Sequence, residues 1–177
     1  MHPSLETKAP CGDLTEARDV LRRRGAVLVE VVGQHDVYFG TTAGRLKLRT
    51  TRPIDGSAGT ASAVLIAYDR PSDPGARLSR FWVVPVGDHE ACLTGLTAVL
   101  HQQTEVRKRR EIWRVGRTTV HLDEVSGLGD FLELETTIAD GADVARAEHA
   151  EISAALSIRP EDTVAGSYAD LVRSDPE

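Results

Sequence analysis

The chain has 177 residues, with 21 Lys and Arg against 27 Asp and Glu, a net charge of −6 and a pI near 5.5. That length suits a single domain, residues 1–177, with a substantial core, and the acidic balance argues against nucleic acid or a membrane surface as partner. No apolar run approaches the roughly 20 residues of a membrane span, and MHPSLETKAP lacks the basic start and apolar middle of a secretory leader, so a cytoplasmic location is expected.

Residues 3–8 suit a short first strand. CGDLTEARDVLRRRGA reads as a helix: Asp13 is a good N-cap with Glu16 at capping-box spacing, and Leu14, Ala17, Val20 and Leu21 form an apolar stripe. Arg22 to Arg24 suit the negative end of that helix, and Gly25 suits its stop. AVLVEVVGQHDVYF is β-branched and apolar, one long strand with a bend or bulge at Gly33. TTAG turns the chain into GRLKLRT, a further strand. IDGSAGTAS (54–62) is a flexible loop.

AVLIAYDR is a strand, PSDPGA a turn and RLSRFWVVPV another strand. Asp88 caps a second helix reaching about Gln103, with Cys92, Leu93, Leu96, Val99 and Leu100 as its buried stripe. Strands at about 105–115, 118–125 and 131–138 follow. A third helix covers about 142–156, and a short one holds SYADLV. The inventory is eight strands and three or four helices, an α+β chain. Short links favour antiparallel neighbours, and eight strands can close into a barrel. Cys11 and Cys92 form no metal-ligand pattern and are expected to be reduced thiols.

Side chains alternate across a strand, so Arg45, Lys47 and Arg49 share one face while Leu46 and Leu48 take the other. Tyr68 and Arg70 share a face, as do Lys108 and Arg110, His121 and Asp123, Glu133 and Glu135, and Glu6 and Lys8. Arg107, Arg109 and Glu111 lie on the opposite side of their strand. A solvated sheet face is the commonest meaning of alternation. Here, however, the signs are segregated: cations on the strands at 44–50, 63–70 and 105–115, carboxylates on the first and the last two. The opposite faces are rich in Leu and Val, and amphipathic helices are available to cover them. A closed barrel with its apolar side outwards would leave a polar lumen. Cations at fixed spacing suit a polyphosphate, and carboxylates suit a hard divalent ion.

In the order LETKA, QHDVYF…GRLKLR, AYDRPSDPGARLS, VRKRREIW, VHLDEVSGLGDFLELE and GSYADLV, the chain resembles the CYTH superfamily, the triphosphate tunnel metalloenzymes. Class IV adenylate cyclases, thiamine triphosphatases and inorganic triphosphatases belong to it. The resemblance implies an eight-stranded antiparallel closed β-barrel, a tunnel with a polar lumen and helices outside, that binds a triphosphate-containing small molecule with Mg2+ or Mn2+. It assigns phosphate binding to Arg45, Lys47, Arg49, Arg70, Lys108 and Arg110, and metal binding to Glu6, Asp123, Glu133 and Glu135. Lys8 and Glu6 become the catalytic pair. The family's opening Glu-x-Glu-x-Lys reads Ser4-Leu5-Glu6-Thr7-Lys8 here, so a hydroxyl stands where a carboxylate is usual. His121 is expected to be hydrogen-bonded locally, and Trp82 and Trp113 to be core or helix-facing. A triphosphatase is the leading expectation. Adenylate cyclisation, a polyphosphate-binding module without turnover and a member redirected to another anionic biosynthetic substrate are the alternatives. A homodimer is left open.

Overall fold

The structure, a computed structural model, describes residues 4–54, 59–69, 80–139 and 141–174. Its elements are β1 (Ser4–Pro10), α1 (Leu14–Arg23), β2 (Val27–Phe39), β3 (Arg45–Pro53), β4 (Ser62–Asp69), β5 (Arg80–Val86), α2 (His89–Val99), β6 (Gln102–Val115), β7 (Thr118–Val125), β8 (Gly129–Thr137), α3 (Ala142–Ala155), a 3-10 turn (Pro160–Asp162) and α4 (Tyr168–Ser174). By hydrogen bonding the strands follow the order β1-β8-β7-β6-β2-β3-β4-β5.

The α+β inventory agrees with expectation; the closed barrel does not. β1 and β5 end the strand order and do not pair with each other among the described residues, so the eight strands form a sheet with two edges. The chain itself explains both edges. Lys8 O, on β1, accepts a bond from Val164 N at 2.8 Å, so the segment after the 3-10 turn takes that edge. On β5, Pro85 has no N–H to give a further strand, the usual place for a strand proline.

The chain divides into two compact units. The first comprises Met1–Val31 and Lys108–Gly166, the second Val32–Arg107 and Ser167–Glu177. In the first, Leu14, Ala17 and Leu21 of α1 pack with Trp113, Val120, Leu122, Leu132 and Leu134 from the strands and Ile152 and Leu156 from the α3 region. Asp13 caps α1, its Oδ1 accepting from Thr15 N at 2.7 Å and Glu16 N at 3.3 Å, and Gly25, at φ +70°, ends it as only glycine does cheaply. In the second, Val37, Phe39 and Leu48 meet Leu46 and Leu65 and the α2 stripe of Cys92, Leu93, Leu96 and Leu100. The expected helix cover over Leu46 and Leu48 is therefore present within this unit.

Some local expectations need correction. α2 stops at Val99 because Gln102 already begins β6, and Val99 is 78% exposed rather than part of the stripe. Trp82 is exposed on β5, whereas Trp113 is buried. The β2–β3 ladder pairs residues one to one through Gly33 opposite Arg52, without a bulge there. The thiols of Cys11 and Cys92 are free and half-buried. Residues 55–58 of the expected loop 54–62, and the whole turn PSDPGA, fall outside the described residues. Among the described residues no helix is long and apolar enough to cross a membrane.

Candidate functional site

In the first unit the polar side chains gather on the sheet face opposite the core, because β6, β7 and β8 alternate. Antiparallel register places Arg110 directly opposite Asp123, His121 opposite Glu133, and Lys8 of β1 opposite Glu133. Arg110 donates through Nε to Asp123 Oδ1 at 2.6 Å and through Nη2 to Oδ2 at 2.5 Å, and also donates to Glu133. Lys108 Nζ lies 3.5 Å from Asp123 Oδ2, and Lys8 Nζ lies 3.5 Å from Glu133 Oε1. Asp123 has no exposed surface. Burial alone raises a carboxyl pKa, but the Arg110 guanidinium outweighs it and holds Asp123 below the ordinary range. The same opposition, with Lys8 and Lys108 adding to Arg110, holds Glu133 well below it. His121 is lowered by burial and then by Arg110. The local hydrogen bond expected for it is absent at Nδ1, which sits 3.7 Å from Glu133 Oε2, too far for one.

β1 is fixed from behind by a directed chain of hydrogen bonds. Thr118 Oγ1 donates to Glu148 Oε1 at 2.9 Å, so its 2.9 Å bond with Thr136 needs the Thr136 proton. Thr136 then accepts from His149 Nδ1 at 2.8 Å, and His149 Nε2 accepts from Thr7 at 2.7 Å. The tautomer follows from this network. Thr7 lies between Glu6 and Lys8, so α3 anchors the strand that presents them. Lys8 Nζ also donates to Gly166 O at 3.3 Å.

The carboxylates assigned to metal do not form one cluster. Among the described residues, no three His, Cys, Asp or Glu side chains are placed to share an ion. Both oxygens of Asp123 face cations, and Glu133 is held by Arg110 and Lys8. Glu6 and Glu135 face each other directly across the β1–β8 ladder, and both are exposed. Like charges opposite each other are unfavourable in a sheet, and a divalent cation held between them would lower that cost. Two hard carboxylates suit Mg2+ or Mn2+, since Mg2+ keeps most of its coordination for water and phosphate oxygens. Ser4, at the missing glutamate, donates through Oγ to Glu6 Oε1 at 3.5 Å.

The second unit carries the basic strand. Lys47 and Arg49 converge on Asp36, a β2 residue directly opposite Arg49. Arg49 Nε and Nη2 each lie 2.6 Å from Asp36 Oδ1 and Oδ2, and Lys47 Nζ lies 2.8 Å from Oδ2. Lys47 also donates to Tyr38 Oη at 3.3 Å and sits 5.2 Å from the centre of that ring. Burial and the Asp36 charge push the Tyr38 phenol far up, so it stays neutral. Arg45 turns instead to the start of α4, where Nη1 donates to Asp170 Oδ2 and to Oγ of Ser167, the residue before the helix, both at 2.8 Å. Burial raises the Asp170 carboxyl, but its bonds from Arg45 and Ser167 bring it below the ordinary value. Arg70 lies outside the described residues.

Asp36 and Glu111 are two buried carboxylates whose partners sequence reasoning missed. Asp36 shares the alternation of Tyr38 in QHDVYF, and its pairing with Arg49 depends on strand register. Glu111, expected on an outer face with Arg107 and Arg109, is 4% exposed. Arg18 of α1, Arg109 and the Trp113 indole all donate to it. Burial raises this carboxyl, and those donors outweigh the burial and lower it.

The CYTH domain family model matches residues 3–168. A candidate adenylate cyclase of Methanocaldococcus jannaschii is 40% identical over 68 residues, which cover 37% of this chain and 39% of that relative. The chain thus spans about two fifths of that curated relative. A Pyrococcus furiosus protein described as conserved and hypothetical has the same fold, with TM-score 0.78 and 22% identity over 95% of this chain and 99% of that one. A candidate adenylyl cyclase from Hippeastrum, described as having a dominant triphosphatase activity, superposes with TM-score 0.68 and 16% identity over 100% of this chain and 98% of its own.

Proposed function

We propose, because this chain belongs to the CYTH family, that it is a metal-dependent phosphoryl-transfer enzyme acting on a triphosphate-containing small molecule, and that its reaction is triphosphate hydrolysis. The observation that carries this reading is the grouping of the basic residues. Lys47 with Arg49, and Lys108 with Arg110, each form a fixed pair of cations on a buried aspartate. Such pairs suit phosphate oxygens, and Arg adds directional contacts. The activity described for the Hippeastrum protein supports hydrolysis. The name of the Methanocaldococcus relative favours a second reading, cyclisation of ATP.

In the hydrolytic reading, the arginines and lysines bind and orient the phosphate chain, and the protein works by positioning and charge neutralisation. Glu6 and Glu135 would hold Mg2+ or Mn2+, which when bound supplies charge neutralisation and polarisation of phosphoryl oxygens. Asp123 and Glu133 orient Arg110, with Glu133 also holding Lys8. Lys8, fixed by Glu133 and Gly166 O, places a positive charge beside the attacking water. In the cyclising reading the ribose 3′-hydroxyl attacks the α-phosphorus instead, and pyrophosphate leaves.

Incubation with ATP separates the two readings: ADP and phosphate mark hydrolysis, and cyclic AMP with pyrophosphate marks cyclisation. Neither pair of products, with both Mg2+ and Mn2+ supplied, would refute the cyclising reading and remove ATP as the substrate of the hydrolytic one. Ser4→Glu places a third carboxylate two residues from Glu6 on the same strand face. Its affinity for Mn2+, followed by calorimetry, is expected to rise roughly tenfold, on the scale of one charge-assisted contact. An unchanged affinity would remove β1 from the metal site.

A further inference from the structure

We infer that Asp36 is a positioning residue that turns Lys47 and Arg49 into a clamp of fixed spacing, and that this spacing selects the length of the phosphate chain. The inference rests on the triphosphate reading above and gives Asp36 a part in choosing among anions, beyond the pairing that reading already uses.

The geometry makes the case twice, once in each unit. Asp36 stands directly opposite Arg49 in the β2–β3 ladder, and Asp123 directly opposite Arg110 in the β6–β7 ladder. In both, Arg Nε meets one carboxylate oxygen at 2.6 Å. In both, Arg Nη2 and the lysine two residues earlier meet the other oxygen. The distances there are 2.6 Å and 2.8 Å at Asp36, and 2.5 Å and 3.5 Å at Asp123. Each aspartate side chain is at most 3% exposed. The same register, atoms and residue types recur in separate parts of the chain, so a local packing coincidence does not explain them.

Lysine and arginine carry large rotamer freedom, and two like charges on one strand face repel. Without a shared anchor their head groups would splay and meet any anion by charge alone. One buried carboxylate holds both heads against a single oxygen and fixes their separation. Each triad, two cations and one aspartate, still carries a net positive charge. A fixed pair of cations is matched only by an anion whose charged groups have the same spacing, which is how geometry gives specificity beyond attraction.

Calorimetry with inorganic triphosphate and with pyrophosphate, at fixed Mg2+ and pH on the full chain, tests this. Wild type is expected to prefer triphosphate by at least about tenfold. Asp36→Asn adds one positive charge and loosens the clamp, so the preference is expected to fall below about threefold while pyrophosphate affinity stays within about threefold. Asp36→Glu keeps the charge and the fold but moves the anchor by one methylene, and it is expected to lose the preference too. A preference unchanged in a variant that melts cooperatively would overturn the inference. So would equal tightening for both anions, because Asp36 would then only compete with phosphate. If Asp36→Asn fails to fold, Asp36→Glu decides. A wild type that binds neither anion would refute the functional reading itself, before the role of Asp36 arises.

Discussion

Replacing Arg110 with methionine is expected to remove about 3–5 kcal/mol of folding stability, the usual cost of breaking a buried ion pair by deleting one partner. The change takes the bidentate partner from Asp123, which has no exposed surface, and a donor from Glu133. Methionine matches the stem of arginine, so the loss is electrostatic more than steric. Denaturant unfolding at neutral pH measures it, and a loss under about 1 kcal/mol would contradict the assigned network. The pH dependence gives a second readout. Asp123 and Glu133 are lowered in the folded chain, so at acid pH the unfolded chain binds more protons. Their stabilisation is complete above the unfolded carboxylate range, near about pH 4, and is lost as pH falls through the lower folded values. Arg110→Met removes the largest lowering influence on both and leaves burial, which raises them, less opposed. The variant should therefore lose less stability than wild type between about pH 5 and pH 2.

Arg49→Ala is expected to weaken triphosphate binding roughly 10- to 100-fold, about 1.5–3 kcal/mol for hydrogen bonds between charged groups. The fold should survive, because Asp36 keeps Lys47 at 2.8 Å. Calorimetry on a variant with a cooperative melt is the check. An affinity within twofold of wild type would take the β3 basic strand out of the binding site. Arg45→Ala offers an internal contrast, since Arg45 already bonds Asp170 and Ser167 of the α4 region and should cost less.

Much of this was legible in the sequence where one residue type reports one physical state. Alternation placed Leu122, Leu132 and Leu134 in a core and His121, Asp123 and Glu133 on the other face, as found. Asp13 and Gly25 bounded α1 because capping chemistry is local. Local rules fail where register or a distant element decides. Asp36 meets Arg49 through ladder pairing over 13 residues, which alternation within one strand does not reveal. Glu111 looked outward by alternation and is buried because Arg18 of α1 and the Trp113 indole cover it. Closure failed for a similar reason. Strand count permits a barrel, but the bond from Val164 N to Lys8 O occupies the β1 edge. The charge on Lys47 and Arg49 was readable, and the carboxylate that gives it a fixed geometry was not.

The central claim is metal-dependent hydrolysis of a triphosphate, and phosphorus NMR of the intact protein with inorganic triphosphate and Mg2+ tests it most directly. The account predicts that the triphosphate resonances decay as orthophosphate and pyrophosphate appear, and that a chelator stops the decay. Resonances unchanged with either Mg2+ or Mn2+, from a protein shown to be folded, would contradict it.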